Sequence, residues 1–194
     1  NKNDNTPLHI ASSGGHTEFV KLLLTHPKID VNVQNNLNET PLHIALSKGH
    51  TEIVKLLLAH PEINVNIQNK NEDTPLHHMA SFNGHTDIAT LLLAHPNINV
   101  NVQNNLNETP LHMASSGGHT DIVELLLERD DIKVNIQNKN EDTPLHIAVI
   151  SGHTKIVELL LAREDIKVNI KNNYDETPLD IAKFYSNTII VELL

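Results

Sequence analysis

Residues 40–51 read Thr-Pro-Leu-His-Ile-Ala-Leu-Ser-Lys-Gly-His-Thr, and variants of this stretch return along the whole chain. The tripeptide Thr-Pro-Leu recurs every 34 or 35 residues, beginning at Thr6, Thr40, Thr74, Thr109, Thr143 and Thr177. A fixed period of this length is the sequence signature of a repeat architecture. We therefore predict a single array over residues 1–194, made of units 1–34, 35–68, 69–103, 104–137 and 138–171 and a partial unit 172–194.

Each unit has the pattern of two short helices. Thr40 is a residue type favoured at a helix N-cap, and Pro41 suits the first helical position because its φ is preset. We expect Gly49 to end this helix and Thr51 to cap a second one. An isolated pair of helices this short does not offset its own ordering entropy. The units are therefore predicted to stack side by side as an all-α solenoid held by nearest-neighbour contacts.

These motifs resemble the ankyrin-repeat family. Thr-Pro-Leu-His-x-Ala, Gly-His-Thr-x-x-x-x-x-Leu-Leu and Val-Asn recur in register across the chain, and the first of them is that family's signature. The resemblance implies helix-turn-helix pairs joined by extended, β-hairpin-like finger loops. It also implies a non-catalytic protein-binding module, with an intracellular, cytoplasmic location as the family's usual setting.

Two departures from the family pattern lead to local expectations. The glycine usual in the finger turn is replaced by Asp4, Asn38, Glu72, Asn107, Glu141 and Asp175. Asn and Asp tolerate left-handed backbone better than Glu does, so we expect the turns at Glu72 and Glu141 to take another shape. The third unit has one extra residue. Keeping Ala80 in the alanine column of the first helices predicts a single wide helical turn around His77–Met79.

The composition excludes several classes of function. Lys and Arg number 14 against 24 Asp and Glu, and the resulting net charge of −10 disfavours nucleic-acid and membrane-surface partners. The absence of cysteine excludes disulfides, thiolate metal sites and a cysteine nucleophile. No apolar run approaches the roughly 18 residues that span a bilayer. Because the chain begins and ends within its pattern, we expect a piece of a longer protein. We expect this piece to be monomeric but able to associate end to end through uncapped terminal repeats.

Most of the 14 histidines fall into three repeat columns, one in Thr-Pro-Leu-His, one after Gly and one before Pro. Neighbouring helices pack about 8–10 Å apart, so histidines of one column are too distant to share a zinc ion. We interpret the first two columns as structural, and the resemblance implies imidazole bridges between units. A metal- or pH-responsive module is the alternative. The serines have no partner acid placed by the sequence, and no phosphate-loop motif follows the Gly-Gly pairs. We therefore expect no enzyme activity, no cofactor and no metal.

Three sets of positions are candidates for contact with a partner. Acidic residues precede the Thr of five successive units at Glu39, Asp73, Glu108, Asp142 and Glu176. Apolar residues stand at the finger tips Leu37, Leu106 and Tyr174, where alternate units have Asn71 and Asn140. On the inner helix face, the Ser and Gly of other units are replaced by Lys48, Phe82, Ile150, Phe184 and Tyr185. The resemblance implies that partners contact finger and inner-helix positions. The predicted partner-binding residues are therefore Leu37, Glu39, Lys48, Asn71, Asp73, Phe82, Leu106, Glu108, Asn140, Asp142, Ile150, Tyr174, Glu176 and Tyr185.

The predicted function is non-catalytic protein–protein recognition on a preformed, concave finger and inner-helix surface. Apolar tips would anchor the partner, and the acidic row would steer a basic segment towards it. Two alternatives remain open at this point. The acidic row is also explained by solvated charge placed favourably at helix N-termini. The whole chain is also explained as a structural spacer or designed scaffold without a specific partner.

Overall fold

The computed structural model describes residues 4–81 and 86–194. The chain divides into two compact units, Asn1–Asn99 and Val100–Leu194, called here the first and the second unit, and each segment of 34 or 35 residues within them is called a repeat. Helices of the first unit are α1 (Pro7–Ser13), α2 (Thr17–Leu24), α3 (Pro41–Ser47), α4 (Thr51–Leu58), α5 (Pro75–Ser81) and α6 (Thr86–Leu93). Helices of the second unit are α7 (Pro110–Gly117), α8 (Thr120–Leu127), α9 (Pro144–Ile150), α10 (Thr154–Leu161), α11 (Pro178–Phe184) and α12 (Thr188–Leu193). Across these described ranges there is no strand, and no helix is long and apolar enough to cross a membrane.

The Thr-Pro-Leu motif starts the first helix of each pair, followed by His in the first five repeats and by Asp180 in the sixth. In α3 the hydroxyl of Thr40 accepts the backbone N–H of His43, and the His43 ring accepts the N–H of Thr40. This reciprocal arrangement is a capping box, which satisfies two backbone donors that the helix leaves unpaired. The second helix begins at Thr51, with His50 in the N-cap position and no side-chain cap bond. The expectation that Thr51 caps this helix is therefore wrong, since Thr51 is its first residue.

Helix pairs stack within each unit. In the first unit α3 packs between α1 and α5, and α4 packs between α2 and α6. In the second unit α9 and α10 occupy the same central places, between α7 and α11 and between α8 and α12. Side chains such as Leu42, Ala45, Val54 and Leu57 are fully buried between the helices. Burying an aliphatic side chain of Val or Leu size contributes about 1.5–3 kcal/mol, so these columns of side chains hold each stack together.

The fingers that join the helix pairs are closed by short backbone bonds. The N–H of Asn35 donates to the carbonyl of Glu39 at 3.0 Å, and the N–H of Asn38 donates to the carbonyl of Asn35 at 2.9 Å. Neighbouring fingers are also linked, because the N–H of Lys70 donates to the carbonyl of Leu37 at 3.0 Å. These fingers are therefore hairpin-like loops that are hydrogen-bonded to a neighbour within the same unit.

The finger turn keeps one shape whatever residue occupies it. Its φ lies between 51° and 63° at Asp4, Asn38, Glu72, Asn107, Glu141 and Asp175. The expectation of a different turn at Glu72 and Glu141 is therefore wrong. Contacts outside the turning residue explain this result. The side-chain oxygen of Asn69 accepts the N–H groups of Asn71 and Asp73, and Gln68 Nε2 donates to the carbonyl of Glu72 at 2.6 Å. These bonds offset the backbone strain of a non-glycine residue.

Helix α5 is a regular seven-residue α-helix, Pro75–Ser81, of the same length as α3. The wide turn expected around His77–Met79 is therefore wrong. Met79 occupies the position that Ala45 has in the second repeat, and it is fully buried. The extra residue comes after Ser81, among residues 82–85, which lie outside the described part of the chain.

Candidate functional site

Within each of the two units, histidines of the Thr-Pro-Leu-His motif bridge neighbouring repeats. Nδ1 of His43 accepts the N–H of Thr40 at 3.1 Å, so the ring proton resides on Nε2. That Nε2 donates to the carbonyl oxygen of Asp73 at 3.2 Å, thirty residues further along the chain. The same bridge of 2.9–3.2 Å recurs within each unit, joining His9 to Glu39, His112 to Asp142 and His146 to Glu176. We call the four bridging residues His9, His43, His112 and His146 the histidine ladder.

Burial holds the pKa of His9, His43 and His146 below the ordinary value of histidine. Removal from water, together with a smaller contribution from the nearby His78, lowers the pKa of His43 to about 3. Burial also lowers the pKa of His9 and His146, against smaller opposing effects that include the bonds to Glu39 and Glu176. His78 lies edge-on to His43 with ring centroids 5.3 Å apart, and burial lowers the pKa of His78 as well. Protonation of His43 would place a positive charge in a site of low dielectric constant, where the ring is bonded to the N–H of Thr40 and the carbonyl of Asp73 and to no described carboxylate.

The histidines that follow glycine make a second set of inter-repeat bonds. Nε2 of His50 lies 3.2 Å from the carbonyl oxygen of Ser13, and Nε2 of His153 lies 3.1 Å from that of Ser116. The ring passes so close to the preceding repeat that a Cβ on Gly118 would meet His153 at 2.7 Å. Within residues 4–81 and 86–194, no three His, Asp or Glu side chains are grouped so that they could hold a metal ion.

The acidic row before each Thr is partly structural. Asp142 is buried, and its Oδ1 accepts the side-chain N–H of Asn172 at 2.9 Å. Glu176 is half-buried, and its carboxylate has no hydrogen bond or ion pair to any residue that the structure describes. The two carboxylates therefore differ, because Asp142 holds the next finger in place whereas Glu176 is available to a ligand.

A groove of about 260 Å³ lies in the second unit between the fingers and the first helices. Its apolar lining consists of Ile150, Tyr174, Ile181, Phe184 and Tyr185, and its polar lining consists of Asn140, Asp142, Asn172 and Glu176. The rings of Phe184 and Tyr185 meet edge to face, with centroids 5.3 Å apart. The groove thus places aromatic surface beside carboxylates, with no Lys or Arg among the described residues that line it.

The sequence model described as "Ankyrin repeats (3 copies)" matches residues 1–69, 61–138 and 131–194. The chain belongs to the ankyrin-repeat family. It is also similar to the crystal structure of EF0377, an ankyrin repeat protein, with 29% identity, a TM-score of 0.88 and coverage of 96% of this chain and 94% of that one. No curated protein sequence matches the chain. The prediction of an all-α, ankyrin-repeat solenoid is confirmed. Ankyrin repeats generally mediate protein–protein interaction and are generally non-catalytic.

The predicted finger-tip residues of these ankyrin repeats are exposed to solvent. Leu37, Leu106 and Tyr174 expose 46%, 52% and 73% of their surface, and the alternating Asn71 and Asn140 are exposed as well. Among the predicted inner-face residues, Lys48, Ile150 and Tyr185 are exposed, whereas Phe82 lies outside the described residues. The acidic Glu39, Asp73 and Glu108 are half-buried.

Six of the predicted partner-binding residues are brought together in the groove, namely Asn140, Asp142, Ile150, Tyr174, Glu176 and Tyr185. Leu106 and Glu108 lie in the same unit but do not line it, and Leu37, Glu39, Lys48, Asn71 and Asp73 belong to the first unit. The groove also contains Phe184, Asn172 and Ile181, which the predicted set did not include. Phe184 was signalled by its place in a column of serines, whereas Asn172 and Ile181 occupy ordinary ankyrin positions and gave no signal.

A separate apolar surface lies on the first ankyrin repeat. Ile10 and Phe19 are 51% and 47% exposed, and Leu22 is also exposed. The corresponding residues of the second repeat, Ile44 and Ile53, are buried. The first repeat therefore exposes to solvent the repeat positions that the second repeat buries.

Proposed function

We propose that this ankyrin-repeat chain is a non-catalytic binding module that takes a protein partner of basic character on its finger and inner-helix surface. The observation that carries the proposal is the groove of the second unit, where the tip residue Tyr174, the inner-helix residues Ile150 and Tyr185 and the acidic residue Glu176 converge. Exposed apolar side chains rimmed by polar groups mark interaction sites. Such aromatic anchors supply most of the binding free energy of an interface.

The charge of the chain supports a basic partner. The net charge is −10, and carboxylates line the groove without a described cation among them. Opposite charge on a partner raises the association rate and disfavours acidic competitors. Leu37 in the first unit and Leu106 in the second are exposed apolar tips of the same kind on other fingers.

The fingers are suited to binding because they are ordered before a partner arrives. Asn172 accepts the N–H groups of Tyr174 and Glu176 at 3.0 and 3.1 Å, and the N–H of Asn173 donates to the carbonyl of Asn140 at 3.0 Å. A surface that is already fixed loses little conformational entropy when it binds. This rigidity favours recognition by shape and charge over induced folding.

A peptide-display selection against the purified chain tests the proposal. Peptides recovered from a random library should be enriched in Lys and Arg. They should lose affinity about tenfold or more when Tyr174→Asn and Tyr185→Ser are introduced, as expected for anchors worth 1.4 kcal/mol or more. These changes install the residues found at equivalent positions in the fifth repeat, Asn140 and Ser151, so the fold is expected to survive.

The matched control is Ile189→Lys. Ile189 is an exposed apolar residue that does not line the groove, and the preceding repeat has Lys155 at the same position. We expect this variant to bind the selected peptides as the parent does. Failure to recover any binder, or binders that ignore both tyrosine changes, would favour a spacer without a specific partner.

The exposed apolar face of the first repeat supports end-to-end association at high concentration, in addition to a predominantly monomeric state. Head-to-tail contacts of this kind form open chains when the rotation between successive copies does not close a ring. Sedimentation velocity over a hundredfold concentration range should detect the assemblies, and Leu22→Lys should remove them. A single species of monomer mass at every concentration would contradict the association.

A further inference from the structure

We propose that the groove of the second unit receives an arginine side chain of the partner. This inference rests on the proposed function and assigns the chemistry of one contact within it. The groove measures about 260 Å³, which is below the roughly 300–1,000 Å³ of pockets that enclose drug-sized ligands. A space of this size suits one long side chain rather than a small-molecule substrate.

Aromatic surface in the groove favours a flat cation. Tyr174, Phe184 and Tyr185 all line it, and each exposes more than half of its surface. A guanidinium group stacks on aromatic faces and is less strongly hydrated than an ammonium group, so it leaves water more readily for such a site. The aliphatic stem of the same side chain can pack against Ile150 and Ile181, which complete the apolar lining.

The carboxylates in the groove supply the charge that a guanidinium requires. Glu176 has a carboxylate without a hydrogen bond or ion pair among the described residues, and Asp142 has one oxygen engaged by Asn172. The nearby Lys171 is paired with Asp175 at 2.7 Å and does not line the groove. Both carboxylate oxygens of Glu176 therefore remain to accept two parallel N–H bonds from one guanidinium, the geometry in which arginine binds carboxylates.

The aromatic lining is particular to this groove within the second unit. Phe184 and Tyr185 stand where the fourth repeat has Ser116 and Gly117. Four of the other repeats have Ser where Phe184 stands, and three have Gly or Ser where Tyr185 stands, so packing of the helices does not require aromatic rings there. Rings that remain mostly exposed gain little from folding, and a ligand contact gives them a role.

The test uses three capped amino acids as probes in NMR titrations of the whole chain. N-acetyl-arginine methylamide should shift the amide signals of residues 174–176 and 184–186 with a Kd of about a millimolar, a weak affinity consistent with a single side chain. The lysine analogue should bind several-fold more weakly. The citrulline analogue, which has the same shape without the charge, should bind about tenfold more weakly because it loses the charge-assisted bonds.

Substitutions then locate the charge and the aromatic contact. Glu176→Gln should reduce arginine affinity to that of citrulline and leave citrulline affinity unchanged. Phe184→Ser should weaken all three probes while the thermal unfolding midpoint stays close to that of the parent. Glu192→Gln removes an exposed carboxylate outside the groove and should change nothing.

Equal binding of arginine and citrulline, tighter binding of lysine, or signal shifts away from the groove would overturn the arginine assignment. An absence of shifts with 50 mM probe would overturn it as well. None of these results bears on the peptide selection, in which loss of binding by the Tyr174 and Tyr185 variants is measured. The failure of this inference and the failure of the proposed function are therefore distinguishable.

Discussion

The Nε2 atom of His43 lies 3.2 Å from the carbonyl oxygen of Asp73, whereas the Nδ1 atom of the same ring accepts the N–H of Thr40 at 3.1 Å. A single buried imidazole thus caps its own helix and fastens the next finger. Because both ring nitrogens are used, no other natural side chain of this size replaces the contact completely.

Replacing His43 by alanine should therefore be costly. The change removes the capping contact, worth about 0.5–2 kcal/mol, and the bond to the Asp73 carbonyl, worth about 0.5–1.5 kcal/mol, and it leaves a cavity where a fully buried ring stood. The Asp73 carbonyl itself keeps a partner, since it also accepts the N–H of Asn69 at 2.9 Å. We expect a loss of roughly 2–4 kcal/mol in the free energy of unfolding, measured with urea. His26→Ala provides the control, because this exposed ring only accepts the N–H of Lys28. A loss at His43 no larger than that at His26 would show that the ladder contributes little.

Stability should fall as the solution is acidified. The pKa of His43 is about 3 in the folded chain, against an ordinary value of 6.5, and those of His9 and His146 are also lowered. The unfolded chain therefore binds protons below pH 6.5 that the folded chain does not, so acid favours unfolding. We expect a constant free energy of unfolding above about pH 7.5. Below pH 6.5 the free energy of unfolding should fall by about 1.4 kcal/mol per pH unit for each histidine that stays neutral in the folded chain.

Urea titrations at pH 8, 7, 6 and 5 measure this dependence. His43→Gln should be less stable at pH 8 but should lose less per pH unit between pH 6 and pH 5. A free energy of unfolding that is the same at pH 8 and pH 5 would contradict the neutral, buried state of the histidine ladder.

Two glycines offer a matched pair for the second histidine column. Gly118 and Gly152 both have left-handed backbone, with φ of 72° and 73°. A Cβ on Gly118 would lie 2.7 Å from the ring of His153, whereas a Cβ on Gly152 would meet no heavy atom of the described chain within 4 Å. Gly152→Ala should cost about 1 kcal/mol from backbone strain alone. Gly118→Ala should cost about 1–3 kcal/mol more, since it displaces His153 from Ser116. Thermal or urea unfolding of both variants measures the difference, and equal losses would contradict it.

Partner binding should divide into an anchoring effect and a steering effect. Leu106→Ala should raise the dissociation rate of a selected partner about 5- to 30-fold, because it removes an exposed apolar anchor. Glu108→Ala should mainly slow association, and less so at high salt, because its charge acts at long range. Surface plasmon resonance at 50 and 500 mM NaCl separates the two rates. Identical kinetics for both variants and the parent would remove these residues from the binding surface.

Local sequence was sufficient to predict where the first helix of a repeat begins, but not the finger turns. Thr40 and Pro41 carry their own capping chemistry, so the start of α3 was predictable from two residues. The turn at Glu72 depends instead on Asn69 and Gln68, whose side chains bind the backbone of the finger. The low intrinsic tendency of Glu72 to adopt left-handed backbone was outweighed by the hydrogen bonds of Asn69 and Gln68. The three-dimensional contacts were needed to decide between these effects.

The candidate groove was predictable only in part for the same reason. Tyr174 was conspicuous because it is an aromatic residue where Asn and Leu alternate, and Tyr185 because three other repeats have Gly or Ser in its place. The burial of Asp142 follows from a bond to Asn172, thirty residues later, which no local pattern signals. The inclusion of Ile181 depends on how α11 meets the fingers and not on any feature of its own column.

The histidine ladder has a consequence for how such arrays change in length. Each bridge joins a ring in one repeat to a backbone carbonyl in the next, a group that every residue type provides. Copying or deleting a complete repeat therefore re-forms the bridge at the new junction, whatever side chains are brought together there. Recombination between whole repeats preserves this contact automatically, so the exposed tips are free to diverge while the joints between repeats stay interchangeable.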